Sequence, residues 1–255
     1  MRVHHLNCAT MAVPGIPKLV AHCLLLELDD RLALIDTGYG LGDIAHPGQL
    51  GPGRFATFPV LDKAETAYEQ ITALGLDPAD VTDIVLTHAD LDHAGGVPDF
   101  PKANIHLTAA EAYAWLHPNR RESLRYRPAH HAHGPRIVEH TADGEAWRGF
   151  EAAKPILGDS VVMVSMPGHT VGHAAIAVDT GDRTILHAGD AFFDRHQIRG
   201  GIAHPGLVGF EALIGVNKRQ VLANHARLKE LHRSDDESLV IINAHDAVMF
   251  RELAG

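Results

Sequence analysis

Four potential metal ligands crowd into the six residues His88-Ala89-Asp90-Leu91-Asp92-His93, and this cluster limits the fold more than any other feature of the chain. Two carboxylates and two imidazoles on one short segment repel and crowd one another, and a divalent cation among them relieves both problems. Capping of a following helix accounts for Asp92 but not for all four side chains. The cluster follows the apolar run Val81 to Leu86 and leads into Gly95-Gly96. It therefore stands just past a predicted strand, at the carboxyl end, where α/β folds place their chemistry.

The same rhythm recurs along the chain. The stretch His22 to Ile35 reads as two apolar strands joined at Asp29-Asp30 and ends in Asp36-Thr37-Gly38. Residues from about Tyr39 to Phe58 are rich in Gly and Pro and are predicted to form a long loop near a site. Helical spacing of apolar residues predicts a helix from Asp62 to Leu74, stopped by Gly75. A strand at Asn104 to Leu107 precedes a helix around Ala109 to Leu116, and the basic segment His117 to His133 reads as a solvated crossover, with a lid as the alternative. Further strands are predicted at Ser160 to Ser165, Ala174 to Val178 and Thr184 to Leu186, and a long helical stretch at Phe210 to Leu231. A last strand, Leu239 to Ile242, ends in Asn243-Ala244-His245-Asp246. Two strand-rich halves, each followed by helices, predict two sheets packed face to face with helices outside.

Composition narrows the function. A net charge of −10 disfavours a polyanionic ligand, so nucleic acid is not expected as substrate. No apolar run is long enough to cross a bilayer, and the first residues lack the pattern of a cleaved secretory signal, so a soluble, cytoplasmic protein without a membrane partner is expected. Cys8 and Cys23 lack metal-knuckle spacing and read as ordinary buried thiols. The 20 histidines invite a metal hypothesis, but position has to decide which of them serve it. His117, His130, His131, His133, His140, His225 and His232 are expected at the surface, and His22, His46 and His204 are not expected to be ligands.

The HADLDH run resembles the His-x-His-x-Asp-His signature of the metallo-β-lactamase superfamily, and His169 in PGHTVGH, Asp190 in HAGDAFF and His245 in NAHD fall in the family's order. Asp36-Thr37-Gly38 matches its early strand-end turn. The resemblance covers nearly the whole chain and implies an α/β (α+β) fold: a four-layer αββα sandwich of two packed mixed β-sheets with helices on the outside, as a single domain over residues 1–255. It also implies that His88, Asp90 and His169 hold one metal, that Asp92, His93 and His245 hold a second, and that Asp190 bridges them. Two divalent ions per chain are then expected, zinc first, with iron or manganese as alternatives. His173 and His187, beside ligands in the motifs, are expected to support the coordinating groups by hydrogen bonding.

The resemblance implies a hydrolase in which two cations lower the pKa of a bridging water to give a hydroxide nucleophile at neutral pH, with Asp92 orienting it. Asp90 departs from the signature by standing where the family has its second histidine. A carboxylate there makes the first site harder and shifts preference toward iron or manganese. The flavodiiron branch has a carboxylate at that position; the alternative is that Asp90 points away and the site holds one metal. Within the superfamily, HCLLLE, LALIDTG and HADLDHAGGVPDF most resemble the N-acyl homoserine lactonases, implying opening of a lactone or cleavage of a related ester in a small molecule. Those lactonases carry a tyrosine three residues after the bridging aspartate, where this chain has Phe193. A glyoxalase-type thioester hydrolase and a phosphotriesterase are the nearest alternatives, and an iron-dependent oxidoreductase acting on persulfide or dioxygen is one of another class. Monomer and homodimer are both open.

Overall fold

The computed structural model describes residues 1–234 and 236–254. Its first sheet contains β1 (Arg2–Met11), β2 (Leu19–Glu27), β3 (Leu32–Ile35), β4 (Val81–Val85), β5 (Asn104–Thr108) and β6 (Arg136–His140), side by side in that order. The second runs β7 (Glu145–Trp147), β8 (Phe150–Leu157), β9 (Val161–Ser165), β10 (Ala174–Asp179), β11 (Thr184–His187) and β12 (Leu239–Ile242). Both are mixed. β1 to β3 pair antiparallel and β3 to β6 parallel, while β7 to β11 pair antiparallel and β12 joins β11 in parallel.

The inner strands β2, β3 and β10 are near-continuous apolar runs because both of their faces are buried. In β2, Leu24 and Leu26 join Ala33, Ile35 and Val85 in a core shared with Met163, Ile176 and Ile185 of the other sheet. The alternate residues Cys23 and Leu25 face outward against Ile71 and Trp115 of the flanking helices. The second sheet buries its own outer face against Ile198, Leu228 and Met249. The period-two alternation thus sorts each strand between an inter-sheet core and a helix-covered face, which gives the expected αββα sandwich. Cys8 and Cys23 are free and buried, as expected of core thiols.

The structure differs from the sequence reading in four places. The expected helix from Asp62 to Leu74 is a 3-10 turn, Lys63–Glu65, and a helix, Ala67–Ala73, parted at Thr66, whose extended backbone and side chain cap the second. The stretch 210–231 is two helices, Pro205–Ile214 and Lys218–Arg233, rather than one. The break is put to use: the amides of Val216 and Asn217 donate to the carbonyl of Gly168, 2.9 Å each, and the Asn217 side chain caps the second helix. The loop from Tyr39 to Phe58 contains the short helices Leu41–Ala45 and Arg54–Thr57 flanking a 3-10 segment, Pro47–Gly53. His130, expected at the surface, is fully buried, with its Nε2 bonded to Asp43 Oδ1 at 3.0 Å. That bond fastens the basic segment to the 39–58 loop, a long-range pairing that local polarity does not reveal.

One buried carboxylate ties the loops of the sandwich rim together. Thr108 caps the helix Ala109–Leu116 by accepting from the Glu111 amide, which turns the Glu111 side chain inward. Its carboxylate accepts from the Ala89 amide (3.0 Å), the Tyr126 hydroxyl (2.8 Å), the Thr170 hydroxyl (2.7 Å) and the Gly172 amide (3.1 Å). Gly172 has no room for a side chain, since a Cβ there would lie 2.2 Å from the Glu111 nitrogen. Glu111→Ala leaves four buried donors without an acceptor and should cost at least ~3 kcal/mol. Urea unfolding in the presence of a chelator measures this at unchanged m. A loss under ~1 kcal/mol would mean that the loops are held by other contacts.

Candidate metal centre

Five strand ends converge at one rim of the sandwich: β3 delivers Asp36, β4 the His88–His93 segment, β9 leads to His169, β11 to Asp190 and β12 to His245. The loops are stitched across the two sheets by main-chain bonds, among them Ala174 to Thr87 (2.9 Å), His22 to Ala244 (2.8 Å) and Ala244 to Gly189 (3.0 Å), amide to carbonyl in each case. Gly189 has φ of 51° and lies so near His173 and Thr87 that a Cβ would sit 2.7 Å from the His173 ring nitrogen. Only glycine fits this turn.

Hydrogen bonds behind the imidazoles decide which nitrogen each presents. Asp36, at φ of 57°, accepts from the Thr87 amide and hydroxyl, both 2.8 Å, and from His93 Nδ1 at 2.8 Å. Because the Thr87 hydroxyl donates to Asp36, it is placed to accept from His88 Nδ1, 3.0 Å away. His245 Nδ1 donates to the Val20 carbonyl at 2.8 Å. His88, His93 and His245 therefore all present Nε2 inward, the arrangement that fixes tautomer and aim in metal-binding histidines.

The inward atoms form two groups. His88, His169 and Asp190 each offer one ligand atom, all within 4.8 Å of one another, and Asp92, His93 and His245 do the same. Asp190 stands between the groups: Oδ2 is 3.4 Å from His169 Nε2 and 3.8 Å from His88 Nε2, while Oδ1 is 3.2 Å from His93 Nε2 and 3.0 Å from His245 Nε2, which also lies 3.2 Å from Oδ2. Among the described residues, His88 Nε2, His93 Nε2 and Asp190 Oδ1 are buried without a hydrogen-bond partner. Buried polar atoms left unpaired are costly, and here they aim at common points, so the donor set fits metal ions.

The electrostatics agree. Burial pushes the Asp190 carboxyl up, but His245, His93 and His169 outweigh it and hold the group well below the usual carboxylate range. Burial pulls His93 down, yet Asp190 and Asp36 raise it well above an ordinary imidazole, and His245 is raised in the same way by Asp190. A negative field that strong inside a low-dielectric rim favours cations among the imidazoles.

Above the donors lies a cavity of about 240 Å³. Asp90, Asp92, Asp190 and His245 line it on the donor side, Met11, Leu19, Leu91, Phe193, Phe210 and Ile214 give it apolar walls, and Arg121 and Arg125 also border it.

A model of the metallo-beta-lactamase superfamily matches residues 16–239. The chain belongs to that superfamily. It is 50% identical to the "Probable metallo-hydrolase Rv2300c" of Mycobacterium tuberculosis over 98% of this chain and 82% of that protein. It is 26% identical to the N-acyl homoserine lactonase AiiA of Bacillus thuringiensis subsp. kurstaki, over 95% of this chain and 88% of the lactonase. A solved structure of an N-acyl homoserine lactone hydrolase, with the product N-hexanoyl-L-homoserine at its catalytic metal center, has the same fold. Its TM-score is 0.68 at 20% identity, covering 98% of this chain and 95% of that one. Among the described residues no helix is long and apolar enough to cross a membrane.

All seven superfamily-type positions, His88, Asp90, Asp92, His93, His169, Asp190 and His245, come together at this rim, although Asp90 has a different environment from the rest. Its Oδ2 is 3.1 Å from His169 Nε2 and 3.4 Å from His88 Nε2, yet Arg125 grips both of its oxygens, Nε to Oδ1 at 2.6 Å and Nη2 to Oδ2 at 2.5 Å. Burial raises the Asp90 carboxyl, and Arg125 and His88 more than reverse this, leaving it well below the usual range. His173 bonds a candidate ligand residue, as expected, whereas His187 bonds only the turn before Asp190 and the His22 carbonyl. His173 Nε2 accepts from the Asp190 amide at 3.1 Å, and His187 Nδ1 accepts from the Gly189 amide at 3.2 Å. None of His22, His46 and His204 joins either group.

Three functional side chains were missed by sequence reasoning: Arg125, Glu111 and the orienting carboxylate Asp36. Asp36 was visible as part of a motif, and Arg125 only as one basic residue in a basic segment. Asp36→Asn removes an acceptor from behind His93 and should weaken metal binding by ~10- to 100-fold. Competition against a chelator measures this. An unchanged affinity would show that His93 needs no such support.

Proposed function

We propose that this chain is a metal-dependent hydrolase that opens a lactone or cleaves a related carboxylic ester bearing an apolar acyl group, with two divalent ions held by the seven residues above. The observation that carries the reading is the cavity, whose walls are mostly aliphatic and aromatic, with Arg121 and Arg125 among them, and which reaches the donor set through Asp90, Asp92, Asp190 and His245. An apolar acyl chain gains ~0.8 kcal/mol per methylene on leaving water for such walls, and its carbonyl is then directed at the donor side. Kinship with a probable metallo-hydrolase and with N-acyl homoserine lactonases supports the same class.

The ions would supply Lewis acidity, toward water as nucleophile and toward the substrate carbonyl. His88, His169 and Asp90 would hold the first, Asp92, His93 and His245 the second, and Asp190 would touch both. The protein's own part is positioning and proton transfer. Asp92 lines the cavity beside His245, 3.7 Å from its Nε2, where a carboxylate orients attacking water and takes its proton. The bond to the carbonyl carbon forms from that water, the carbon–oxygen ester bond breaks, and the leaving alkoxide recovers the proton. Phe193 packs over the centre, its ring 5.2 Å from that of His245 and 5.9 Å from that of His169. It excludes water and offers no hydroxyl, so the proton for the leaving group comes from Asp92 or solvent.

A substrate panel with metal-replete protein tests this. Lactones and aliphatic esters should be turned over at least ~100-fold better, by kcat/KM, than β-lactams or phosphotriesters of similar size, and chelation should abolish the activity. A preference for thioesters, phosphotriesters or β-lactams would replace the assignment. Turnover only of persulfide or dioxygen by iron-loaded protein would move it out of the hydrolases.

A further inference from the structure

Arg125 lies in the segment read from sequence as a solvated crossover, but its guanidinium is drawn into the metal rim and held from several directions. Besides its two bonds to Asp90, Nη2 lies 2.8 Å from His169 Nε2, a nitrogen that is also 3.1 Å from Asp90 Oδ2, and Nη1 donates to the carbonyls of His169 and Ile214 at 3.3 Å each. His169 Nε2 is the inward nitrogen of the first donor group, and an imidazole nitrogen has one lone pair. A zinc ion binds that lone pair at ~2.0–2.1 Å, so an ion and the guanidinium cannot both use it. Asp90 is contested in the same way, because the fork of Arg125 spans its two oxygens.

The second group carries no such competitor. Among the described residues, no arginine or lysine is hydrogen-bonded or ion-paired to Asp92, His93 or His245, and His93 Nε2 has no hydrogen-bond partner. The two halves of the centre therefore differ in what an entering cation must displace. In the second half it meets no arginine or lysine, and His93 and His245 face only Asp190, itself a member of the donor set. In the first it must move a buried cation off two of its ligands.

Resting on the metal reading above, we propose that Arg125 is a built-in competitor for the first metal position, so that the centre loads in two unequal steps, the Asp92, His93 and His245 position before the His88, Asp90 and His169 position. With metal scarce, the chain holds one ion and a guanidinium beside it. With metal abundant, the second ion displaces Nη2 from His169, and Arg125 keeps its anchorage on the His169 and Ile214 carbonyls. The Asp90 substitution and Arg125 then form one device: a carboxylate in place of a histidine gives the arginine something to grip.

Titration of metal-stripped protein with Zn²⁺ against a chromophoric chelator, repeated with Co²⁺ followed by its absorption, tests the proposal without reference to turnover. The intact chain should bind two ions in steps at least ~10-fold apart in Kd, and Arg125→Met should tighten the weaker step by ~10-fold or more, as expected for removing a unit charge a few ångströms from an ion. The tighter step should stay within about threefold in that variant, which also reports that it is folded, and His245→Ala should abolish that step. Two equal steps unmoved by Arg125→Met would overturn the proposal while leaving the metal centre intact. Loss of the weaker step in Arg125→Met would also overturn it, making Arg125 an organiser of Asp90 instead. Failure of the intact chain to bind either ion would overturn the metal reading itself and this inference with it.

Discussion

Everything at the rim depends on one buried carboxylate placed between two groups of imidazoles. Asp190 turns one oxygen toward His88 and His169 and the other toward His93 and His245, and those residues come from the ends of β4, β9, β11 and β12. The arrangement is unstable on its own terms: ring nitrogens and a carboxylate oxygen are sealed from water without partners. Cations among them would satisfy all of these atoms at once, which is why the donor set fits metal ions.

Such a site demands an unusually stiff frame, because a ligand misplaced by an ångström is no ligand. The sandwich meets the demand by placing the ligands just past strand ends whose positions are fixed by two cores. The remaining freedom is removed by acceptors sunk behind the loops. Asp36 fixes His93 and the Thr87 side chain, Val20 fixes His245 through its carbonyl, His173 fixes the Asp190 amide, and Glu111 joins the His88 and His169 loops to the basic segment. None of these groups is among the residues that line the cavity. They turn an assembly of strand ends into one preorganised donor set.

Much of this was legible in the chain. The two-sheet fold followed from apolar runs of strand length, each ending in a polar motif, and the seven candidate ligands from the resemblance of those motifs, in their order, to the metallo-β-lactamase superfamily. What stayed hidden is long-range. Glu111 reads as an ordinary acidic residue in the first turn of a helix, and only the approach of Gly172 and Tyr126 makes it a hub. His130 sits among other histidines in a polar run and is buried because Asp43, 87 residues away in sequence, accepts its proton. Arg125 carries no local mark separating it from Arg120, Arg121 and Arg127, and its role appears only when the segment folds over Asp90. The break at Gly215 to Asn217 was misread as continuous helix because apolar spacing persists across it, whereas the Gly168 carbonyl captures its amides.

The account's central claim is that these residues make two adjacent cation positions sharing Asp190. Anomalous diffraction from crystals of the chain saturated with Zn²⁺, collected on both sides of the zinc edge, measures it directly. Two anomalous peaks are expected, one contacting Asp92, His93 and His245 and the other contacting His88 and His169, with the Asp190 carboxylate reaching both. A map with no zinc among Asp92, His93 and His245, or with Asp190 turned away from the ions it is supposed to share, would contradict the account.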